Sequence, residues 1–143
     1  MCDMAKILVV ENETSVAMRM VHLLARAGCE VQSAWNVEQA LRLAQGEDFD
    51  LITLNVNLSG QNGFELCRHL KQLPHLRETP VVFVSGRREE TDIQCGLAAG
   101  AVDYITKPFD AADFIDRIMT SIQPEPPFVS QISEEPAMTG NQS

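Results

Sequence analysis

Residues 48–63 read Asp48-Phe49-Asp50-Leu51-Ile52-Thr53-Leu54-Asn55-Val56-Asn57-Leu58-Ser59-Gly60-Gln61-Asn62-Gly63. Leu51, Ile52, Thr53 and Leu54 form an apolar run without alternation, which marks a strand covered on both faces. The run stops at Asn55 and Asn57, ahead of a turn containing Gly60 and Gly63. Strands of that kind belong to open parallel sheets, where ligands and chemistry collect at the carboxyl ends of the strands. Asn55, at such an end, is the first residue to question.

The same reading extends in both directions. Residues 5–10 form a β-rich apolar run ending in Glu11-Asn12-Glu13, with Thr14 and Ser15 as capping oxygens for a helix. Val16, Met20, Leu23, Leu24 and Ala27 then share one helical face, and Gly28 is the stop. Residues 29–34 are a second strand. Asn36 with Gln39 resembles a capping box, and Val37, Ala40, Leu41 and Ala44 keep helical rhythm up to Gly46.

After the central strand a third helix starts near Gly63, turns Phe64, Cys67 and Leu70 inward and ends before Pro74. Residues 80–85 are a fourth strand. The helix over 87–99 is the weakest, because Gly96 interrupts it and its apolar positions, Ile93, Leu97 and Ala98, are sparse. Residues 102–106 make a fifth strand running into Lys107-Pro108, a candidate cis peptide. Asp110 opens a fifth helix with Ala111, Phe114, Ile115, Ile118 and Ile122 inward.

Strands alternating with helices imply one α/β domain over residues 1–122, a parallel sheet with helices on both faces. Residues 123–143 hold Pro124, Pro126, Pro127 and Pro136 among Glu, Ser and Gln, the composition of a linker or disordered tail.

Composition narrows the function. The net charge of −9 and the absence of any basic run longer than Arg87-Arg88 argue against direct nucleic-acid binding. No apolar stretch is long enough for a membrane span, and no signal-peptide pattern leads the chain, so a cytoplasmic location is expected. Cys2, Cys29, Cys67 and Cys95 show no Cys-x-x-Cys spacing, which favours reduced thiols over a metal or redox motif. His22, His69 and His75 lack ligand-spaced partners, and Trp35 reads as a packing residue. No Gly-rich phosphate loop follows the first strand.

Several short motifs occur in order. They are Ile7-Leu8-Val9-Val10 with its acidic cluster, the polar end of strand three, Gly60 and Gly63, Ser85-Gly86, Ala99-Gly100-Ala101 and Lys107-Pro108-Phe109. Together they resemble a response-regulator receiver domain of two-component phosphorelay signalling. The resemblance implies a flavodoxin-like, doubly wound five-stranded sheet of order 2-1-3-4-5. It also implies phosphoryl transfer from a histidine kinase to an aspartate ending strand three, beside Mg²⁺ held with an acidic pair.

Matched position by position, Asn55 stands at the phosphoacceptor and Glu11 and Asn12 at the acidic pair. Asn57 supplies the carbonyl that would reach the metal, and Ser85 and Tyr104 are the switch pair. Lys107, followed by Pro108, is the pocket lysine. A neutral carboxamide is a poor nucleophile for an acyl phosphate. Mg²⁺ prefers carboxylates and phosphate oxygens, and Glu11 is the only carboxylate left of that set, so weak or absent Mg²⁺ binding and no other cofactor are expected.

Asn12 and Asn55 also suit turns, and an Asp-to-Asn change can be natural or engineered. Lys107 should contact Glu11 or turn to solvent, since a buried unpaired ammonium is costly. The expectation is a non-enzymatic pseudo-receiver, without catalytic residues. It would act on a protein partner, a histidine kinase or a downstream signalling protein, through the face of helix four, strand five and helix five. It would be a monomer or weak homodimer. The rivals are an ordinary receiver carrying an Asp-to-Asn change and a small flavodoxin-like cofactor binder.

Overall fold

The computed structural model describes residues 4–122; the linker or tail expected at 123–143 lies outside the described residues. The elements are β1 (Lys6–Val10), α1 (Thr14–Arg26), β2 (Glu30–Ala34), α2 (Val37–Gly46), β3 (Leu51–Leu54), α3 (Gly63–Lys71), β4 (Val81–Ser85), α4 (Glu90–Ala98), β5 (Asp103–Thr106) and α5 (Ala111–Ile122). The five strands form one parallel sheet in the order β2-β1-β3-β4-β5, so the expected doubly wound α/β fold is the observed one.

Side-chain alternation divides the core. Leu8, Val10, Ile52, Leu54 and Phe83 face one way and join Ala40, Ala44, Cys67 and Leu70 of α2 and α3. Ile7, Val9, Leu51, Val82 and Val84 face the other way and join Met20, Leu24, Phe114 and Ile118 of α1 and α5. Because both faces are covered, β1, β3 and β4 are almost wholly buried, and only their carboxyl ends remain open for chemistry.

Local details depart from the sequence reading where side chains have better partners. Helix α1 begins at Thr14, with Glu13 at the cap and no side-chain capping bond, so Thr14 and Ser15 are not its caps. The Glu13 carboxylate reaches Lys107 instead. At α2, Asn36 Oδ1 accepts from the Gln39 amide at 2.8 Å, but Gln39 Oε1 accepts from Trp35 N–H rather than from Asn36. Trp35 itself is 67% exposed, against the expected packing role, because it follows an edge strand and stands on the rim of an open groove beside Met18 and Val21 of α1.

The turn after β3 holds a short antiparallel hairpin, Asn57–Leu58 with Gln61–Asn62, which the sequence reading leaves as turn. Asn62 then caps α3, its Oδ1 accepting from Phe64 N–H at 2.7 Å.

The Gly96 position reverses its sequence reading. In α4 it is the buried residue, and Leu97 is 45% exposed. A Cβ there would lie 2.9 Å from Tyr104 Cδ2 and 3.0 Å from Phe83 Cδ2. Helix α4 therefore approaches the sheet through the missing side chain, with little apolar area to hold it.

Candidate functional site

Parallel register brings the strand ends together. Val10 pairs with Leu54 and Ser85 with Thr106, so the next residues, Glu11, Asn55 and Lys107, emerge at one edge of the sheet. Asn55 N–H donates to Val10 O at 3.2 Å, and Lys107 N–H donates to Ser85 O at 2.9 Å, fixing these ends to each other. Gly63 packs tightly against the end of β3: a Cβ on it would collide with the Asn55 carbonyl. The result is a small polar hollow of about 170 Å³ lined by Asn12, Glu13, Asn55, Asn57, Ser85 and Lys107.

Asn55 occupies its centre. Its Nδ2 lies 3.2 Å from Glu11 Oε2, 3.1 Å from Asn12 Oδ1 and 3.2 Å from the Asn57 carbonyl. A carboxylate and a peptide carbonyl only accept hydrogen bonds, so the carboxamide must turn its NH₂ toward them. Asn55 and Glu11 are both buried, and these are charge-assisted or low-dielectric contacts.

Glu11 is 1% exposed and has a cationic side chain beside it. Lys107 Nζ lies 3.0 Å from Glu11 Oε1 and 3.2 Å from Glu13 Oε1. The Glu11 contact is an ion pair too bent to count as a hydrogen bond, since that oxygen has no well-directed donor. Its other oxygen accepts from Glu13 N–H at 3.1 Å as well as from Asn55. Of the two positions open to Lys107, the contact with Glu11 is the one adopted. Glu13 is a partner that the sequence reading misses, although its place two residues after Glu11 is a usable signal. The Lys107-Pro108 peptide is cis.

Ser85 and Tyr104 meet beside this hollow. Ser85 Oγ accepts from Arg87 N–H at 3.1 Å. Tyr104 is buried against Phe83, with ring centroids 5.8 Å apart, and its hydroxyl donates to Arg87 O at 2.8 Å. Burial pushes the Tyr104 phenol above its ordinary pKa. Arg87 as the Tyr104 acceptor escapes sequence reading because the bond uses its backbone carbonyl, which no side-chain pattern announces.

On the neighbouring face, Arg117 grips Asp103 with Nε at 2.9 Å and Nη2 at 2.7 Å. Burial alone would raise the Asp103 pKa, but the paired guanidinium bonds outweigh it and hold the carboxyl below its ordinary value.

The residues present fit a magnesium ion poorly. Of the expected oxygen set, Glu11 alone is a carboxylate, it is already ion-paired to Lys107, and amide hydrogens point into the space between the remaining oxygens. Among the described residues no cluster of three His, Cys, Asp or Glu is placed to hold a metal, and no helix is long and apolar enough to cross a membrane. His22 and His69 are exposed, and His75 Nε2 lies 2.7 Å from Ala44 O, a tie between the segment after α3 and α2.

Comparison with known proteins places this geometry. The sequence profile described as Response regulator receiver domain matches residues 7–119. The chain is 34% identical over 124 residues to the phosphate regulon transcriptional regulatory protein PhoB of Rhizobium meliloti, covering 87% of this chain and 55% of that protein. It is 38% identical over 113 residues to the alkaline phosphatase synthesis transcriptional regulatory protein PhoP of Bacillus subtilis, covering 79% of this chain and 46% of that one. It thus spans about half the length of these curated relatives. The chemotaxis response regulator CheY4 of Vibrio cholerae superposes with a TM-score of 0.79 at 29% identity, over 83% of this chain and 99% of that one. With its five-stranded order, its strand-end pocket and these relatives, the chain belongs to the response regulator receiver domain family.

Proposed function

We propose that this receiver domain works as a pseudo-receiver, a docking module that does not use a phosphorylation cycle at Asn55. The observation that carries the reading is the Asn55 Nδ2 between Glu11, Asn12 and Asn57, where a phosphoacceptor would present an anionic oxygen. A carboxamide there is committed as a donor and is a poor nucleophile. On this reading the domain has no catalytic residue, takes no cofactor and acts as a binding partner in the cytoplasm.

Receivers switch by drawing the Ser/Thr and aromatic side chains inward. Tyr104 is already buried and bonded to Arg87 O, which supports an equilibrium biased toward the drawn-in arrangement without phosphate. The contact surface is the α4-β5-α5 face, where Leu97 and Val102 are 45% and 55% exposed beside the Asp103–Arg117 pair. Its partner is a protein, a histidine kinase or a downstream component, with weak self-association as the homomeric form. Direct nucleic-acid and membrane binding are not part of this reading.

Retained Ser85, Tyr104 and Lys107 also support a second reading, an ordinary receiver that carries an Asp-to-Asn change at position 55 and still accepts phosphate at Glu11 or another acceptor. Amide spectra with beryllofluoride and Mg²⁺ separate the two, with an Asn55→Asp, Asn12→Asp double variant beside the parent chain. Shifts at Ser85 and Tyr104 confined to the double variant support the pseudo-receiver. The same shifts in the parent chain overturn it.

A further inference from the structure

We infer that the Asn55 carboxamide takes the seat and the structural duty of a divalent cation, so that the pocket is held together by a resident side chain. Three acceptor oxygens converge on one donor nitrogen. Nδ2 is met at 3.1–3.2 Å by an oxygen from each of Glu11, Asn12 and Asn57, two from the loop after β1 and one from the loop after β3. Those oxygens would otherwise face one another across the hollow, and clustered acceptors need a donor or a cation between them.

The orientation is dictated by chemistry. Rotating the Asn55 carboxamide by a half-turn would set Oδ1 against the Glu11 carboxylate and the Asn57 carbonyl, with no hydrogen between them. The NH₂ must therefore point where a cation would lie. Lys107 supplies one positive charge from the opposite side, balancing the buried Glu11, while the Glu13 side chain it also touches is 60% exposed and solvated. Net charge is settled without an ion: one buried carboxylate, one ammonium and neutral amides.

This explains why the two asparagines occur together. With Asn12 and Asn55 both neutral, the buried Glu11 and the partly buried Lys107 form a balanced pair. An aspartate at position 55 would put a second carboxylate beside Glu11 Oε2 and restore the demand for a divalent ion.

The inference rests on reading the pocket as a non-relay one, yet the two fail separately, because the test below uses neither a phosphoryl donor nor a partner. Thermal melts of the full chain are compared in EDTA and in MgCl₂ for the parent, Asn55→Asp and Asn55→Ala. The parent should melt at the same temperature in both. Asn55→Asp should melt about 4–8 °C lower in EDTA and recover with Mg²⁺, while Asn55→Ala falls by a similar amount and does not recover. A Mg²⁺-dependent rise in the parent equal to that of Asn55→Asp overturns the inference. So does an Asn55→Asp variant that matches the parent in EDTA. Should either variant fail to fold, Mn²⁺ titration of the isotope-labelled parent decides the matter. Amides of residues 11, 12, 55 and 57 should keep their line widths, and selective broadening of that group contradicts the proposal.

Discussion

The Tyr104 hydroxyl donates to the carbonyl oxygen of Arg87 at 2.8 Å, tying the edge strand β5 to the loop that leads from β4 into α4. The ring packs beside Phe83, and the bare backbone of Gly96 lies against both rings. Gly96→Ala would place a methyl 2.9 Å from Tyr104 Cδ2, so the ring or the helix must move, at about 1–3 kcal/mol. Tyr104 is the single tyrosine of the chain, and its ring resonances and solvent accessibility report the outcome directly. Greater exposure of Tyr104 in Gly96→Ala is expected; an unchanged environment would show that α4 does not seat it.

Lys107 and Glu11 should behave as a coupled pair. Lys107→Met leaves the Glu11 carboxylate, 1% exposed, without its cation and should destabilise the fold by about 3 kcal/mol. Adding Glu11→Gln removes the stranded charge and should recover part of that loss. Urea denaturation of the two single variants and the double measures the coupling; additive losses would deny it.

Thr53 carries the one buried hydroxyl among the described residues that has no hydrogen-bond partner. Thr53→Val keeps the shape, removes the unpaired group and should stabilise the domain by about 1 kcal/mol, read from the urea midpoint. A destabilised variant would mean that the hydroxyl is satisfied in solution.

The Asp103–Arg117 pair predicts a pH dependence of definite sign. A carboxyl whose folded pKa is lowered adds stability that is present above the ordinary carboxylate value, about 3.9, and is lost as pH falls through the folded value. Carboxyl-carbon NMR titration should place Asp103 below that value in the parent and move it upward in Arg117→Met. An Asp103 that titrates identically in both would remove the guanidinium as the cause.

Thiol chemistry should divide by burial. Cys67 is buried, with Sγ 3.4 Å from Ala99 O, and its pKa is pushed up to about 11, whereas Cys95 is exposed. Iodoacetamide at pH 8 should label Cys95 in the folded chain and reach Cys67 only in denaturant, as peptide mapping would record.

Much of this was legible in the sequence, for definite reasons. The unbroken run Leu51 to Leu54 and the strand-helix alternation require a buried parallel sheet, and register then forces Glu11, Asn55 and Lys107 together. With Lys107 matched to the pocket lysine, charge left it contact with Glu11 or solvent, and the contact is the one adopted. What stayed hidden depends on backbone atoms and on absent atoms: the Arg87 carbonyl that receives Tyr104, and the space at Gly96 that local propensity reads only as weakness. Trp35 was misread because its size argues for packing, while its position after the edge strand β2 leaves it on the rim of an open groove beside α1.

The central claim is that Asn55 keeps this pocket from accepting a phosphoryl group. Intact-mass measurement after incubation with acetyl phosphate and Mg²⁺ tests it most directly, with the Asn55→Asp, Asn12→Asp double variant as the positive control. The expected result is a hydroxylamine-sensitive phosphoryl adduct on the double variant and none on the parent chain. A stable adduct on the parent, mapped to the peptide that contains Asn55, would contradict it.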